Sequence, residues 1–207
     1  MRTATNALQA DAIGAIVEGI AARGYTITPE FLGAHVIAAL RVRAQTLERD
    51  GLLASAGVGR GSDRTLRTDI RGDRIRWLDG AGPDPAFEPV RHALESLRVA
   101  VNRELALGLL EFEGHYALYP AGARYTRHKD RFRDDDARVL SIVLYLNDDW
   151  RAEDGGALRL FVDKRDAIDV VPAGGTLVTF LADRFDHEVL PAIRPRVSLT
   201  GWFRRRA

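Results

Sequence analysis

The apolar positions change their period midway along the chain. In the first half they recur at helical spacing. Leu8, Ile13, Ile16, Val17 and Ile20 form one stripe, which Gly24 stops. Tyr25-Thr26-Ile27 reads as a short strand. Thr28-Pro29-Glu30 then has the form of an N-cap with proline at the first helical position, opening a helix through Phe31, Val36, Ile37, Leu40 and Leu47 to about Arg49. A third helix is predicted from Asp84-Pro85 through Val90, Leu94, Leu97, Val101 and Leu105. Between the second and third lies Gly51 to Asp73, rich in Gly, Ser, Arg and Asp, which predicts a functional loop or a disordered one. Its Gly57-Val58-Gly59-Arg60-Gly61-Ser62 lacks the Gly-Lys-Ser/Thr ending of a phosphate loop.

From about Glu111 the pattern is strand-like, with candidates at 112–119, 124–130, 138–147, 157–162, 168–171, 176–181, 186–190 and 196–204. Turn signals separate them, among them Asp154-Gly155-Gly156 and Ala173-Gly174-Gly175. Eight short strands at this spacing predict a double-sheet jelly roll, and helices that precede rather than alternate with strands predict a helical support on one sheet. The fold class is therefore α+β, a single domain over 1–207 with helical support to about 110 and a β core at about 111–204.

Strand alternation assigns faces. Arg196, Ser198, Thr200 and Trp202 share one side of the last strand, opposite Val197, Leu199 and Phe203; Ser141, Val143 and Tyr145 share one side of strand 138–147, opposite Leu140, Ile142, Leu144 and Leu146. The all-apolar faces suit packing on helices, so the mixed faces line the interior. An arginine pointing inward needs an anion, either a carboxylate of the protein or a carboxylate ligand to which Tyr145 adds a hydrogen bond.

Composition narrows the chemistry. There is no cysteine among the 207 residues, so disulfides, zinc–thiolate sites and cysteine nucleophiles are excluded. The formal net charge of +1 argues against a partner held by bulk electrostatics, so no nucleic acid is expected. Arginine supplies all but Lys129 and Lys164 of the basic residues, a skew that a coding bias explains, and the Phe203-Arg204-Arg205-Arg206 tail reads as solvated. No apolar run approaches the ~20 residues of a membrane span, and Asp11 and Glu18 interrupt the N-terminal segment, so a cytoplasmic protein is expected.

His128-Lys129-Asp130 puts an imidazole and a carboxylate at i and i+2, on one side of a strand and ~7 Å apart along it. Alone, this pair competes with a solvated loop, because Arg127 to Arg138 is densely charged. His187 and Arg196, flanking a turn with Pro191 and Pro195, strengthen it. Two histidines and one carboxylate with open positions form the facial triad of non-haem iron(II) oxygenases. His35 and His92 fall in helical segments, and His115 can line the cavity without ligating.

The chain resembles the prolyl 4-hydroxylase branch of the 2-oxoglutarate oxygenases, in particular the hypoxia-inducible-factor prolyl hydroxylases and their bacterial relatives. The matching stretches are Ile70-Arg71-Gly72-Asp73-Arg74-Ile75-Arg76-Trp77, Tyr119-Pro120, Tyr125-Thr126-Arg127-His128-Lys129-Asp130, Tyr145-Leu146-Asn147-Asp148-Asp149-Trp150, Gly155-Gly156-Ala157-Leu158-Arg159 and His187-Glu188-Val189, between about Gly24 and Phe203. The resemblance implies a cupin-like double-stranded β-helix that couples hydroxylation to decarboxylation of 2-oxoglutarate, with Fe(II) and O2 required and ascorbate (vitamin C) as reductant. It implies His128, Asp130 and His187 as iron ligands, and Arg196 and Tyr145 as partners of the distal carboxylate. Tyr119, Leu158, Val189, Thr200 and Trp202 would line that pocket. Asp73 and Arg138 match a pair beside the substrate entrance, with Arg71 adjacent and Trp202 also facing substrate, and the loop before Arg71 matches a segment that closes over a peptide. The implied partner is a protein bearing a target proline, with elongation factor Tu a candidate; no membrane partner is expected, and the sequence leaves the oligomeric state open with a monomer favoured. The composition of the loop after Asp130 and the shorter Ala121-Gly122-Ala123-Arg124 depart from the family. They leave the chemistry intact and bear on peptide specificity; the alternatives are the same chemistry on a free amino acid, another side chain or a small molecule, and a binding module that senses 2-oxoglutarate or oxygen without turnover.

Overall fold

The structure is a computed structural model that describes residues 2–57, 67, 69–79, 82–131 and 137–206, with side chains from Gln9 onward. Three helices, α1 (Arg2–Arg23), α2 (Ala34–Arg49) and α3 (Glu88–Leu105), accompany eleven strands in the described residues. The strands are β1 (Tyr25–Thr28), β2 (Ala54–Ser55), β3 (Arg74–Trp77), β4 (Glu111–Tyr119), β5 (Tyr125–His128), β6 (Arg138–Tyr145), β7 (Leu158–Phe161), β8 (Ala167–Val170), β9 (Leu177–Leu181), β10 (Asp186–Val189) and β11 (Arg196–Arg204). They form a seven-stranded sheet in the order β1-β9-β6-β11-β4-β3-β2 and a four-stranded sheet in the order β5-β10-β7-β8. Every pairing between these strands is antiparallel. The eight expected strands are thus all present, four to each sheet, as a double-stranded β-helix, and β1, β2 and β3 widen the larger sheet.

The face assignments hold along the central strands. Leu140, Ile142 and Leu144 of β6 and Val197, Leu199 and Phe203 of β11 join one apolar cluster with Ile13, Ile16, Val17 and Ile20 of α1 and the buried faces of α2 and α3. In α3 those residues are Val90, Ala93, Leu94, Leu97 and Val101, a helical repeat that turns one side to the sheet. The opposite faces of the same strands enter a second cluster between the sheets, with Val143 and Tyr145 packed against Leu158, Leu160 and Val189. All three helices therefore cover one sheet, as the order of elements predicts.

Four local expectations change. Thr28 does not cap α2: it ends β1, paired with Leu177, and the chain turns at Glu30 (φ 51°) before α2 begins after Gly33. Sheet pairing claims the backbone that the cap motif needs. The third helix begins at Glu88 rather than at Asp84-Pro85. Asp84 instead accepts from the Ala86 amide (3.1 Å), the Tyr116 hydroxyl (3.1 Å) and Arg43 Nε (3.3 Å), which anchors the turn before the helix. The polar stretch read as loop contains β2, and β3 follows it with Ile75 as its one buried residue. Arg204 is not a solvated tail residue but the last of β11, reaching Glu111 (3.2 Å) and Glu113 (3.3 Å). Val58 to Ser62 of the glycine-rich motif, and most of the loop matched to a closing segment, lie outside the described residues.

Candidate active site

The smaller sheet brings His128 and His187 together. They are cross-strand neighbours in β5 and β10, with ring centroids 4.2 Å apart. Asp130 is not on the strand, as the i, i+2 spacing suggests: β5 ends at His128, and the chain bends so that the Asp130 carboxylate turns back between the rings. One carboxylate oxygen lies 3.8 Å from His128 Nε2 and the other 3.6 Å from His187 Nε2. One ligand atom from each residue falls within 4.8 Å of the others, the separation of donors that share one cation.

The surrounding groups fix this set. His128 Nδ1 is 2.7 Å from the Thr126 carbonyl, which makes Nδ1 the donor and turns the Nε2 lone pair inward. The His128 ring stacks on Tyr125 (centroids 3.5 Å, interplanar 17°), and Phe180 meets His187 edge-on at 4.8 Å. Ser141, from the larger sheet, donates to Asp130 Oδ2 at 2.7 Å. Burial, then the neighbouring His187, hold His128 down to about 3, so its imidazole is neutral at physiological pH. Burial alone would raise the Asp130 carboxyl, but His187, His128 and the Ser141 hydrogen bond outweigh it and hold it at about 2. Trp202 Nε1 leans toward the same carboxylate without reaching hydrogen-bond geometry. Two imidazoles and one carboxylate suit a divalent metal that keeps open positions, so the donor set fits Fe(II).

The larger sheet supplies the opposite wall. Arg196, the first residue of β11, is 2% exposed. Its guanidinium lies 5.1 Å from the Tyr119 ring and 4.9 Å from the Tyr145 ring, and one terminal nitrogen is 3.4 Å from the Tyr145 hydroxyl. Its Nε has no acceptor, and among the described residues no carboxylate pairs with it. The internal ion pair left open by the sequence is therefore absent from the described residues, and a buried cation faces a cavity. That cavity has a volume of about 700 Å³ and reaches from Arg196 to the triad. Tyr119, Leu158, Val189, Thr200 and Trp202 line it, and Tyr145 reaches it through its contact with Arg196.

Toward the mouth the expected Asp73 and Arg138 pair resolves differently. Both Asp73 oxygens are taken by Arg71, at 2.7 and 2.9 Å, and Arg71 lies over Tyr125 at 4.9 Å. The reason is local: Arg71 and Asp73 flank Gly72, two residues apart on the segment entering β3. Arg138 instead donates to Glu113 and covers the Trp202 ring at 3.5 Å. His115 lines the cavity without joining the triad, between Trp77 (centroids 4.8 Å) and Trp202 (5.6 Å). Burial, with Arg71 and Arg138 nearby, lowers its pKa well below the usual histidine value. Ser141 and Glu113 also belong to the site, though no motif in the sequence marks them. Ser141 had a readable signal, a hydroxyl on the inward face of an otherwise apolar strand; Glu113 had none.

A double-stranded β-helix with a two-histidine, one-carboxylate cluster facing a buried, unpaired arginine defines the non-haem metal oxygenase class. The comparisons agree. Residues 114–204 match the 2OG-Fe(II) oxygenase superfamily. A prolyl-4-hydroxylase crystal structure from Pseudomonas putida is 45% identical, with a TM-score of 0.85 over 94% of this chain and 100% of that one. The chain belongs to the 2-oxoglutarate/Fe(II) oxygenase superfamily, in its prolyl hydroxylase branch. A Trichoplax adhaerens prolyl hydroxylase, solved with a hypoxia-inducible-factor oxygen degradation domain peptide, is 26% identical with a TM-score of 0.86 over 95% of this chain and 90% of that one. Egl nine homolog 1 of Homo sapiens is 35% identical over 144 residues, 65% of this chain and 33% of that protein, so the chain spans about a third of that curated relative's length. No helix of the described residues is long and apolar enough to cross a membrane.

Proposed function

We propose that the chain is an Fe(II)- and 2-oxoglutarate-dependent dioxygenase that hydroxylates C4 of a prolyl residue in a protein. One observation carries this reading: Arg196, buried and without a carboxylate partner, faces the His128–Asp130–His187 cluster across one cavity. Bound iron with 2-oxoglutarate and O2 supplies the oxidant, one oxygen entering the substrate C–H bond and the other the succinate formed as CO2 leaves.

The residues around it bind, orient and exclude water. His128, Asp130 and His187 hold the metal, and the Thr126 carbonyl and Ser141 hydroxyl hold the ligands in place. Arg196 receives the distal carboxylate of 2-oxoglutarate through charge-assisted hydrogen bonds, with the Tyr145 hydroxyl beside it. Tyr119, Leu158, Val189, Thr200 and Trp202 wall the pocket. Arg71, Asp73, Arg138 and Trp202 shape the mouth where substrate enters, with Arg71 braced by Asp73 and Arg138 by Glu113. The peptide held by the Trichoplax relative supports a protein substrate. Elongation factor Tu is the first candidate to test, in a cytoplasmic setting, with ascorbate keeping the metal ferrous and the whole chain acting as one oxygenase domain.

The test is succinate release by the purified protein with Fe(II), ascorbate and 2-oxoglutarate, coupled to a single added oxygen on proline in peptides of the host proteome. Asp130→Ala should abolish both while the fold persists. Succinate release with no modified proline would return the substrate to another side chain or a small molecule. Stable 2-oxoglutarate binding with no turnover on any host fraction would favour a sensing module.

A further inference from the structure

The position of Arg196 is not set by an ion pair. Among the described residues its one hydrogen bond, to the Tyr145 hydroxyl, is long at 3.4 Å, and its Nε has no acceptor. The Tyr119 and Tyr145 rings flank the guanidinium, and its aliphatic stem packs at Gly156, in a stretch that holds Asp148-Asp149-Trp150 and Gly155-Gly156. The chain leaving β6 runs through these residues and one 3-10 turn (Ala152–Asp154), then enters β7. Gly156, at φ 70°, sits among Ala192, Trp150 and Arg196: a Cβ there would stand 2.9 Å from Cβ of Ala192, 3.2 Å from Cζ2 of Trp150 and 3.3 Å from Cδ of Arg196. Trp150 is 8% exposed and donates through Nε1 to the Gly155 carbonyl at 3.0 Å. Arg194 then closes the loop from outside. Its guanidinium lies 4.4 Å from the Trp150 ring centroid. One terminal nitrogen of the same group reaches the carbonyls of Asp148 (3.0 Å) and Asp149 (2.7 Å) and the Asp154 carboxylate (2.9 Å). Asp149 has φ 42°, a left-handed conformation that a non-glycine residue adopts only when its surroundings hold it there.

We infer that Arg194 is a positioning residue for the co-substrate site: by clasping the 148–156 loop it presses Trp150 and Gly156 onto the stem of Arg196 and sets where that guanidinium stands in the cavity. The inference rests on Arg196 being the carboxylate anchor. It explains why Arg194, two residues from the anchor, lies over a buried tryptophan, and why no side chain stands at Gly156.

Affinity for 2-oxoglutarate is measured by calorimetry without oxygen, on full-length protein loaded with Mn(II), beside steady-state KM and kcat. Arg194→Ala should raise both Kd and KM for 2-oxoglutarate by about tenfold. Mn(II) affinity and kcat at saturating 2-oxoglutarate should stay unchanged. Arg194→Lys keeps the charge opposite Asp154 but not the planar fork, and should fall between. Gly156→Ala keeps Arg194 but crowds Ala192, Trp150 and the Arg196 stem on a left-handed backbone, so it should raise Kd in the same way. If Arg194→Ala does not yield folded protein, Arg194→Lys and Gly156→Ala carry the test. Unchanged Kd in these variants, with Arg196→Ala raising it, would overturn the inference. A rise in Kd matched by an equal loss of Mn(II) affinity would also overturn it, because that is general damage rather than positioning. If Arg196→Ala itself leaves Kd unchanged, the reading of the co-substrate site fails instead.

Discussion

Ser141 shows how much one hydroxyl can carry. It belongs to the larger sheet, yet it holds Oδ2 of the carboxylate that completes the cluster on the smaller one. Support of this kind for a metal ligand is typically worth about 10- to 100-fold in affinity. Ser141→Ala should therefore weaken Fe(II) binding by roughly that factor while 2-oxoglutarate still reaches Arg196, and anaerobic metal titration decides it. Protonation gives a second expectation at this scale. His115 and His128 are both held below the ordinary histidine pKa of 6.5, chiefly by burial. Between that value and their lowered ones, the unfolded chain binds protons that the folded chain does not, so stability must fall as pH falls through that window. Asp130, also lowered, acts with the same sign below 3.8. The metal-free protein should lose up to about 1.4 kcal/mol per histidine for each pH unit below 6.5. Urea midpoints at pH 7.5, 6.5 and 5.5 measure this, and midpoints indifferent to pH would contradict it.

Among the elements, α3 presents Leu97 to the outer face of the larger sheet with no solvent exposure. Leu97→Ala should cost about 2–5 kcal/mol in chemical denaturation, as large-to-small core changes do, and leave metal affinity intact because the sheet stands between the helix and the cavity. The elements were legible in the sequence wherever one face was apolar. β6 and β11 alternate so regularly that their inward residues, Arg196 and Tyr145 among them, could be assigned before any coordinates. Legibility failed where tertiary partners overrode a local motif, as when Thr28 gave its backbone to β9 instead of capping α2. It failed again where a strand is held by its neighbour rather than by its own residues, as β3 is by β4. For the site, the ligand types were readable from spacing, but the bend that carries Asp130 off the strand was not. Neither was the partner of Asp73: Arg71, two residues away, takes both its oxygens, whereas the resemblance matched Asp73 with Arg138.

In the whole molecule the proposed metal ligands and the proposed carboxylate anchor belong to different sheets. His128 and His187 stand on β5 and β10 of the smaller, Arg196 on β11 of the larger, and the helices brace only the larger. On the reading proposed above, 2-oxoglutarate spans from one sheet to the other. Facing sheets pack about 10 Å apart, a spacing set by the residues between them, here Val143, Tyr145, Leu158, Leu160 and Val189. The gap then acts as a gauge of molecular length. A 2-oxo diacid one carbon shorter falls short of the arginine when its keto end is on the metal, and one carbon longer must buckle. Oxaloacetate and 2-oxoadipate should thus compete weakly with 2-oxoglutarate in calorimetry despite carrying the same two end groups. Equal competition would mean that the sheets yield to their guest. Seen this way, the apolar residues between the sheets, which touch no reacting atom, are the calipers that decide which fuel the enzyme accepts.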